Sequence, residues 1–124
     1  MERERFEELV VRAIAALPEE FQDRLADVDV VVEDQPTQQQ ITEAGLGRGQ
    51  TLLGLYHGVP LTQRGIGYGL VPPDKITIFQ QTIEAKCRGD AEITREIGRV
   101  VRHEIAHHFG LGDRRLAEIE GDQD

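Results

Sequence analysis

The chain has 124 residues, 39% of them hydrophobic and 30% charged, with a formal net charge of −9. This length suits one compact domain, so we expect a single domain over residues 1–124. The acidic balance argues against a nucleic-acid partner, because such binding needs lysine and arginine to neutralise phosphates. No segment approaches the roughly 18 consecutive apolar residues of a membrane span, and the charged start MERERFEELV differs from a signal peptide.

The chain contains a single cysteine, Cys87. It therefore has neither an internal disulfide nor a paired-cysteine metal or redox motif, and we predict a cytoplasmic location. Nothing near it in the sequence favours the thiolate, so we interpret Cys87 as a half-buried small hydrophobe rather than a nucleophile.

The first part of the chain predicts helix, helix and strand in succession. Apolar residues recur at helical spacing from Phe6 to Leu17, and Pro18 ends the pattern. A short helical turn at Phe21–Leu25 precedes a β-branched run at Val28–Val32, which predicts a buried strand. Residues Gln38–Ala44 predict a loop or a weak short helix.

Two groups of alternating glycines do not form a dinucleotide-binding fingerprint. That fingerprint requires the glycines to follow a strand and open a helix, and neither group has this context. We interpret both groups as flexible connections. They are Gly45, Gly47 and Gly49, and Gly65, Gly67 and Gly69.

The second part of the chain predicts two more strands and the longest helix. The strands are Leu52–His57, with a glycine bulge, and Lys75–Phe79, followed by a short helix at QTIEAKC. The long helix has Asp90 as a candidate N-cap and ends at Gly110, a residue suited to a left-handed conformation. Its apolar stripe is Ile93, Ile97, Val100, Val101, Ile105 and Phe109. A last short helix is predicted at RRLAEIE.

Together these elements predict an α+β fold with a small mixed sheet of three to four strands packed on helices. The long helix carries RHEIAHHFGLGD, residues 102–113, which holds three of the chain's four histidines. At about 100° per residue, His103 and His107 share one helix face, and both imidazoles can reach one zinc ion. Glu104 lies about 100° further round, where a general base can reach a water on the ion.

A third zinc ligand is expected from beyond the helix end. Gly110 can adopt positive φ and reverse the chain, which brings Asp113 back beneath the two histidines. The motif thus extends from HExxH to HExxHxxGxxD. Glu118 and Glu120 are alternative third ligands, but they are less well placed than the aspartate that follows the glycine turn.

This arrangement predicts hydrolysis of a peptide or a similar amide. Zinc would acidify its bound water while Glu104 takes the proton and then passes it to the leaving amine. The tetrahedral oxyanion also needs a hydrogen-bond donor besides the metal. The candidates are Tyr56, His57, Arg64 and Tyr68, and none of them has a diagnostic spacing from the motif. An exposed or core-packing role is the alternative for each of these four.

Two further polar residues of the long helix are not predicted to be ligands. His108 points about 100° away from His107, so we expect it to support its neighbours or to pack. Glu96 lies two turns before His103 and could orient its neighbours, but an ion pair with Arg99 or Arg102 is the favoured interpretation.

The segment VVRHEIAHHFGLGD, with LLGLYHGVPL and DKITIFQ upstream, resembles the minimal zincin-like metallopeptidases of bacteria. The resemblance covers about Phe6 to Ile119, and HExxHHFGxxD is its specific part. It implies that His103, His107 and Asp113 bind zinc and that Glu104 is the catalytic base. In zincins a strand runs above the active-site helix and pairs with an extended substrate, and the resemblance assigns this role to KITIF.

The resemblance predicts a zinc-dependent peptidase acting on peptides or unfolded proteins. Larger zincins have a second subdomain and a methionine turn, which this sequence lacks, so we expect weak, unselective or partner-dependent cleavage. A zinc-binding or peptide-binding module without catalysis is an alternative, but it would not need Glu104. A compact metal-dependent endoribonuclease is disfavoured by Glu104, by Asp113 in place of a third histidine, and by the charge of −9.

Overall fold

The computed structural model describes residues 1–47, 51–58 and 73–110, and within these ranges the chain forms five helices and three strands. The predicted α+β class is confirmed. In chain order the elements are α1 (Arg3–Ala15), α2 (Glu19–Leu25), β1 (Val28–Glu33), α3 (Gln38–Glu43), β2 (Gly54–His57), β3 (Asp74–Phe79), α4 (Gln80–Lys86) and α5 (Gly89–His108). The helix predicted at RRLAEIE lies outside the described residues.

The three strands form a mixed sheet in the order β1-β3-β2. Strand β1 pairs parallel with β3, from Val28 opposite Asp74 to Glu33 opposite Phe79. Strand β2 pairs antiparallel with β3, from Gly54 opposite Ile78 to His57 opposite Lys75. Because β3 is paired on both sides, the prediction that KITIF binds an extended substrate is wrong. Within the described sheet, β1 and β2 are the edge strands.

One hydrophobic core joins the long helices α1 and α5 to the sheet. Phe6 and Leu9 of α1 pack with Ile97 and Ile105 of α5, and all four side chains are fully buried. Most of the remaining core residues come from α1, α2, β3, α4 and α5, and they include Phe21, Leu25, Ile76, Ile78, Ile83, Ile93, Val100 and Val101. Five of the six residues predicted for the apolar stripe of α5 are buried, while Phe109 follows the helix end and is 42% exposed.

Strand β2 contains no glycine bulge, which corrects the prediction for this segment. Its residues pair with β3 in continuous register from Gly54 to His57. Gly54 is required for a different reason: a Cβ there would lie 2.5 Å from Val100 Cγ1 and 3.2 Å from the Thr77 carbonyl oxygen. A glycine in a strand often marks such a close approach. Gly54 therefore lets β2 lie directly against α5.

The predicted N-cap of α5 is also wrong. The helix begins at Gly89, one residue before Asp90, and Arg88 at the N-cap position makes no side-chain capping bond. Asp90 lies in the first turn, where its carboxylate accepts a 2.7 Å hydrogen bond from Arg5 of α1. The predicted end of α5 is confirmed, since Gly110 has φ of +69° two residues after the helix. Among the described residues, no helix combines the length and apolarity needed to cross a membrane.

Candidate active site

Strand β2 runs alongside the C-terminal half of α5 in the same direction. Its first residue, Gly54, lies against Val100, and the backbone of Tyr56 contacts Glu104 one turn further on. Beyond the strand, a Cβ on Gly58 would lie 3.0 Å from Cε1 of His108. A strand rises about 3.3 Å per residue and a helix about 1.5 Å per residue. One residue along β2 therefore covers nearly the same distance as two residues along α5, and the two elements stay in step. The HExxH segment is therefore flanked by an edge strand.

The outward-facing backbone of β2 contacts the predicted catalytic base. Phe79 N–H donates to the Leu53 carbonyl at 3.0 Å, so Leu53 faces β3. Since alternate residues of an antiparallel strand face opposite edges, the N–H of Tyr56 points away from β3. That N–H donates a 2.9 Å hydrogen bond to Glu104 Oε1. Glu104 thus lies at the outward-facing edge of β2, an edge strand of the described sheet.

The two predicted histidine ligands lie on consecutive turns of α5. Their ring centroids are 6.4 Å apart, with an angle of 67° between the ring planes. His103 is half-buried and His107 is exposed. Two imidazoles spaced in this way on one helix face can both reach one zinc ion at nitrogen–zinc distances of about 2.0–2.1 Å. The two histidines therefore fit a zinc ion and could supply two of its ligands.

The environment of Glu104 suits a general base. Burial raises the pKa of its carboxyl, and the hydrogen bond from the Tyr56 N–H and the nearby His107 and His103 offset part of this effect. A carboxylate with a raised pKa accepts a proton more readily at neutral pH than an ordinary surface glutamate. The structure therefore places a proton acceptor of increased basicity beside the two histidines.

The raised pKa of Glu104 predicts a stability effect. A carboxyl with a higher pKa in the folded state stabilises the fold when protonated, and this contribution is lost as the pH rises through its folded-state pKa. We expect metal-free Glu104→Gln to melt a few degrees above the wild type at neutral pH. The gain should shrink as the pH falls towards 4.5, the ordinary pKa of this group.

Thermal unfolding across this pH range, followed by circular dichroism, measures the effect. The matched control is Glu43→Gln on the exposed part of α3, which should change the melting temperature little at any pH. A lower melting temperature for Glu104→Gln at neutral pH would contradict the prediction.

The side chain of Tyr56 contacts Asp74 of β3 and His108 of α5. Its hydroxyl donates a 2.8 Å hydrogen bond to Asp74 Oδ2, and Asp74 is buried. The ring stacks on the imidazole of His108, with centroids 3.8 Å apart and planes inclined by 14°. His108 therefore packs, as its angle on the helix predicts. The phenol of Tyr56 thus binds Asp74, while its backbone N–H binds Glu104.

Of the remaining residues predicted at or near the site, the structure describes His57 and Glu96. His57 is exposed at the end of β2, and Glu96 forms the expected ion pair with Arg99. Asp113, the alternatives Glu118 and Glu120, and the oxyanion candidates Arg64 and Tyr68 lie outside the described residues. Within the described ranges, no three histidine, cysteine, aspartate or glutamate side chains form a metal-binding group.

Two important residues were missed by sequence reasoning. Asp74 anchors Tyr56, and its signal in the sequence was a charged residue directly before a strongly apolar strand. Gly54 allows the contact between β2 and α5, and its signal was a glycine inside a strand pattern. Both residues act through the position of β2, which brings the Tyr56 N–H to Glu104.

Comparison with known proteins supports the assignment suggested by the motif. The model of the zincin-like metallopeptidase family matches residues 25–122 of this chain. A conserved hypothetical protein from Thermus thermophilus has a similar structure, with a TM-score of 0.55 and 22% sequence identity. The similarity covers 88% of this chain and 94% of that protein, and it supports the fold alone. None of the curated proteins matches the chain. On the extent of the family match, the chain belongs to the zincin-like metallopeptidase family.

Proposed function

We propose that the protein is a zinc-dependent peptidase that cleaves extended segments of peptides or unfolded proteins. In this proposal His103, His107 and Asp113 bind the zinc, and Glu104 is the general base. One observation carries it: the half-buried carboxylate of Glu104 lies beside two histidines of the same helix and at the outward-facing edge of β2, an edge strand of the described sheet. In this proposal the base, the two histidine ligands and the edge that binds the substrate lie within two helical turns.

The substrate would bind along β2 as an additional strand. Backbone groups of Gly54 and Tyr56 face away from β3, and an extended peptide can pair with such groups. The Tyr56 N–H donates to Glu104 in the structure. A peptide carbonyl that accepts this N–H would release the carboxylate of Glu104 towards the scissile bond. Peptide binding and the availability of the base are linked in this way.

The residues of the chain move the proton. Zinc, when bound, acts as a Lewis acid that polarises the scissile carbonyl and makes a neighbouring water easier to deprotonate. Glu104 accepts a proton from that water as its oxygen forms a bond to the carbonyl carbon. Glu104 then donates the proton to the departing nitrogen as the carbon–nitrogen bond breaks, which regenerates the carboxylate. The raised pKa of Glu104 favours the first transfer, in which the carboxylate accepts the proton.

Cleavage by the purified protein is expected to be slow. His107 is exposed, so water has access to one side of the proposed metal site. Water screens the charges that stabilise a tetrahedral oxyanion, and this reduces the rate enhancement that the site can provide. The preference for unfolded substrates follows from the need for an extended strand on β2.

Metal analysis of purified protein tests the ligand set. Wild type should hold one zinc per chain, and His103→Ala and Asp113→Ala should each lose most of it, because two protein ligands bind zinc weakly. His57→Ala is the matched control, since it removes an exposed histidine of β2 and should keep the metal. Zinc retained by Asp113→Ala would transfer the role of third ligand to Glu118 or Glu120. Zinc retained by His103→Ala would contradict the proposed centre.

A further inference from the structure

A cavity of about 310 Å³ opens beside the N-terminal half of α5 and the end of α4. Its charged lining among the described residues comprises four cations and two anions, in a chain whose formal net charge is −9. These side chains are Lys86, Glu92, Arg95, Glu96, Arg99 and Arg102. The cavity is therefore a local cationic region on an acidic protein.

This cationic cavity lies next to the face of α5 that carries the two histidines. Arg99 precedes His103 by four residues, so the two side chains lie on one stripe, about 6 Å apart along the helix axis. Arg95 and Arg102 lie four residues before and three residues after Arg99, which places them on its flank. A ligand extending from the histidines towards the start of α5 would meet Arg99 first.

The two acidic side chains of the cavity are already bound. Glu96 accepts hydrogen bonds from Arg99 and lies 3.4 Å from the Lys86 ammonium. Burial alone would raise the pKa of Glu96, but Arg99 and Lys86 lower it, so this group remains a carboxylate. Glu92 accepts a 2.7 Å hydrogen bond from the Arg88 N–H. Within the described parts of the chain, Arg99 uses Nε and Nη2 for Glu96, which leaves its Nη1 group for a ligand.

The cysteine in the cavity does not add a reactive anion. Burial raises the pKa of the Cys87 thiol, and the charges of Glu96 and Glu92 raise it further. The thiol therefore remains protonated at neutral pH and packs as a small neutral group. Recognition in the cavity depends on its cations.

The direction of β2 determines which end of a peptide would reach the cavity. Strand β2 and α5 run in the same direction, from Gly54 at Val100 to Tyr56 at Glu104. A peptide pairing antiparallel with β2 therefore runs towards the start of α5, with its C-terminal part leading. At about 3.3 Å per extended residue, two or three residues span the distance from His103 to the cavity.

We propose that the cationic cavity is a carboxylate-binding subsite that selects peptides with a carboxylate two or three residues beyond the scissile bond, on its C-terminal side. The carboxylate comes from an acidic side chain or from the C-terminus of the peptide. Guanidinium groups suit this ligand because they bind carboxylates through paired, charge-assisted hydrogen bonds. The inference rests on the proposed peptide site at β2.

Peptide binding to zinc-loaded Glu104→Gln tests the subsite without cleavage of the probe. The probes are short peptides of alanine, serine and leucine with an uncharged fluorophore at the N-terminus. One form is amidated and neutral, one has a free C-terminal carboxylate, and a third set is amidated with a single glutamate at successive positions. Dissociation constants are measured by fluorescence anisotropy. The second and third forms distinguish the two sources of the carboxylate.

We expect at least one carboxylate form to bind about tenfold more tightly than the neutral form, as a charge-assisted hydrogen bond allows. Adding Arg99→Gln should reduce this ratio to near one. Adding Arg12→Gln, which removes the same charge from the exposed side of α1, should preserve it. Equal affinity for all peptides, or a ratio unchanged by Arg99→Gln, would overturn the subsite.

The same binding data separate this inference from the proposed function. If no peptide binds, both the subsite and the peptide site at β2 are wrong. If the carboxylate preference is present and depends on Arg99, but zinc-loaded wild type cleaves none of the peptides, the subsite stands and the peptidase activity fails. Mass spectrometry of the wild-type reactions provides the cleavage result and locates any scissile bond relative to the carboxylate.

Discussion

Glu104→Gln is expected to keep its zinc and to lower kcat/KM for an unfolded protein such as casein by about 10²–10⁴-fold, the usual contribution of a general base. The amide oxygen of glutamine can still accept the Tyr56 N–H, so β2 should keep its position against α5. The glutamine cannot accept a proton from water. The loss should therefore appear in kcat, with little change in the affinity for the peptide.

Two controls make the Glu104 result specific. Zinc content must match that of the wild type, because loss of metal would also abolish cleavage. Glu43→Gln, purified in the same way, removes one exposed carboxylate from α3 and should retain full activity. Unchanged hydrolysis by Glu104→Gln would assign the activity to another residue or to a contaminating protease.

The second large effect is expected at Gly54, where β2 meets α5. In Gly54→Ala the new methyl group would lie 2.5 Å from Val100 Cγ1 and 3.2 Å from the backbone oxygen of Thr77. Overpacking of this kind destabilises a fold by about 1–3 kcal/mol. It should also move β2 away from α5 and weaken the hydrogen bond between Tyr56 and Glu104. We expect lower stability in urea unfolding and reduced peptidase activity together.

A matched glycine substitution and a double variant test this explanation. Gly98→Ala on α5 meets only the flexible end of Arg102 at 3.4 Å, so it should be neutral or stabilise the helix by up to about 1 kcal/mol. Val100→Ala removes the closest contact of Gly54→Ala, and the two changes combined should cost less than their sum. Additive costs would show that the contact with Val100 does not explain the effect.

Local patterns in the sequence predicted the helices and the shared face of His103 and His107. The apolar stripe of α5 and the positive φ of Gly110 follow from short-range spacing, and the structure has both. The common face of His103 and His107 also depends only on helical geometry. Such features are accessible to sequence reasoning because every interacting residue lies within two or three turns of its partner.

Long-range pairing accounts for the incorrect predictions. The Tyr56 N–H and the Glu104 carboxylate are 48 positions apart in the chain, and Arg5 binds Asp90 from 85 positions away. Strand order also depends on contacts between distant parts of the chain. The apolar pattern of KITIF identifies a buried strand, but it does not show that both edges of this strand are paired. Strand β2, with its weaker pattern, forms the edge that flanks the site.

The central claim is that water, activated at this site with Glu104 as the base, cleaves an extended peptide. The most direct measurement is mass spectrometry of casein fragments formed by zinc-loaded wild type in water enriched in heavy oxygen. We predict new C-termini that carry the heavy isotope, formed in a zinc-dependent manner and absent with Glu104→Gln. Fragments that form equally with Glu104→Gln, or no fragments from fully zinc-loaded wild type at any protein concentration, would contradict it.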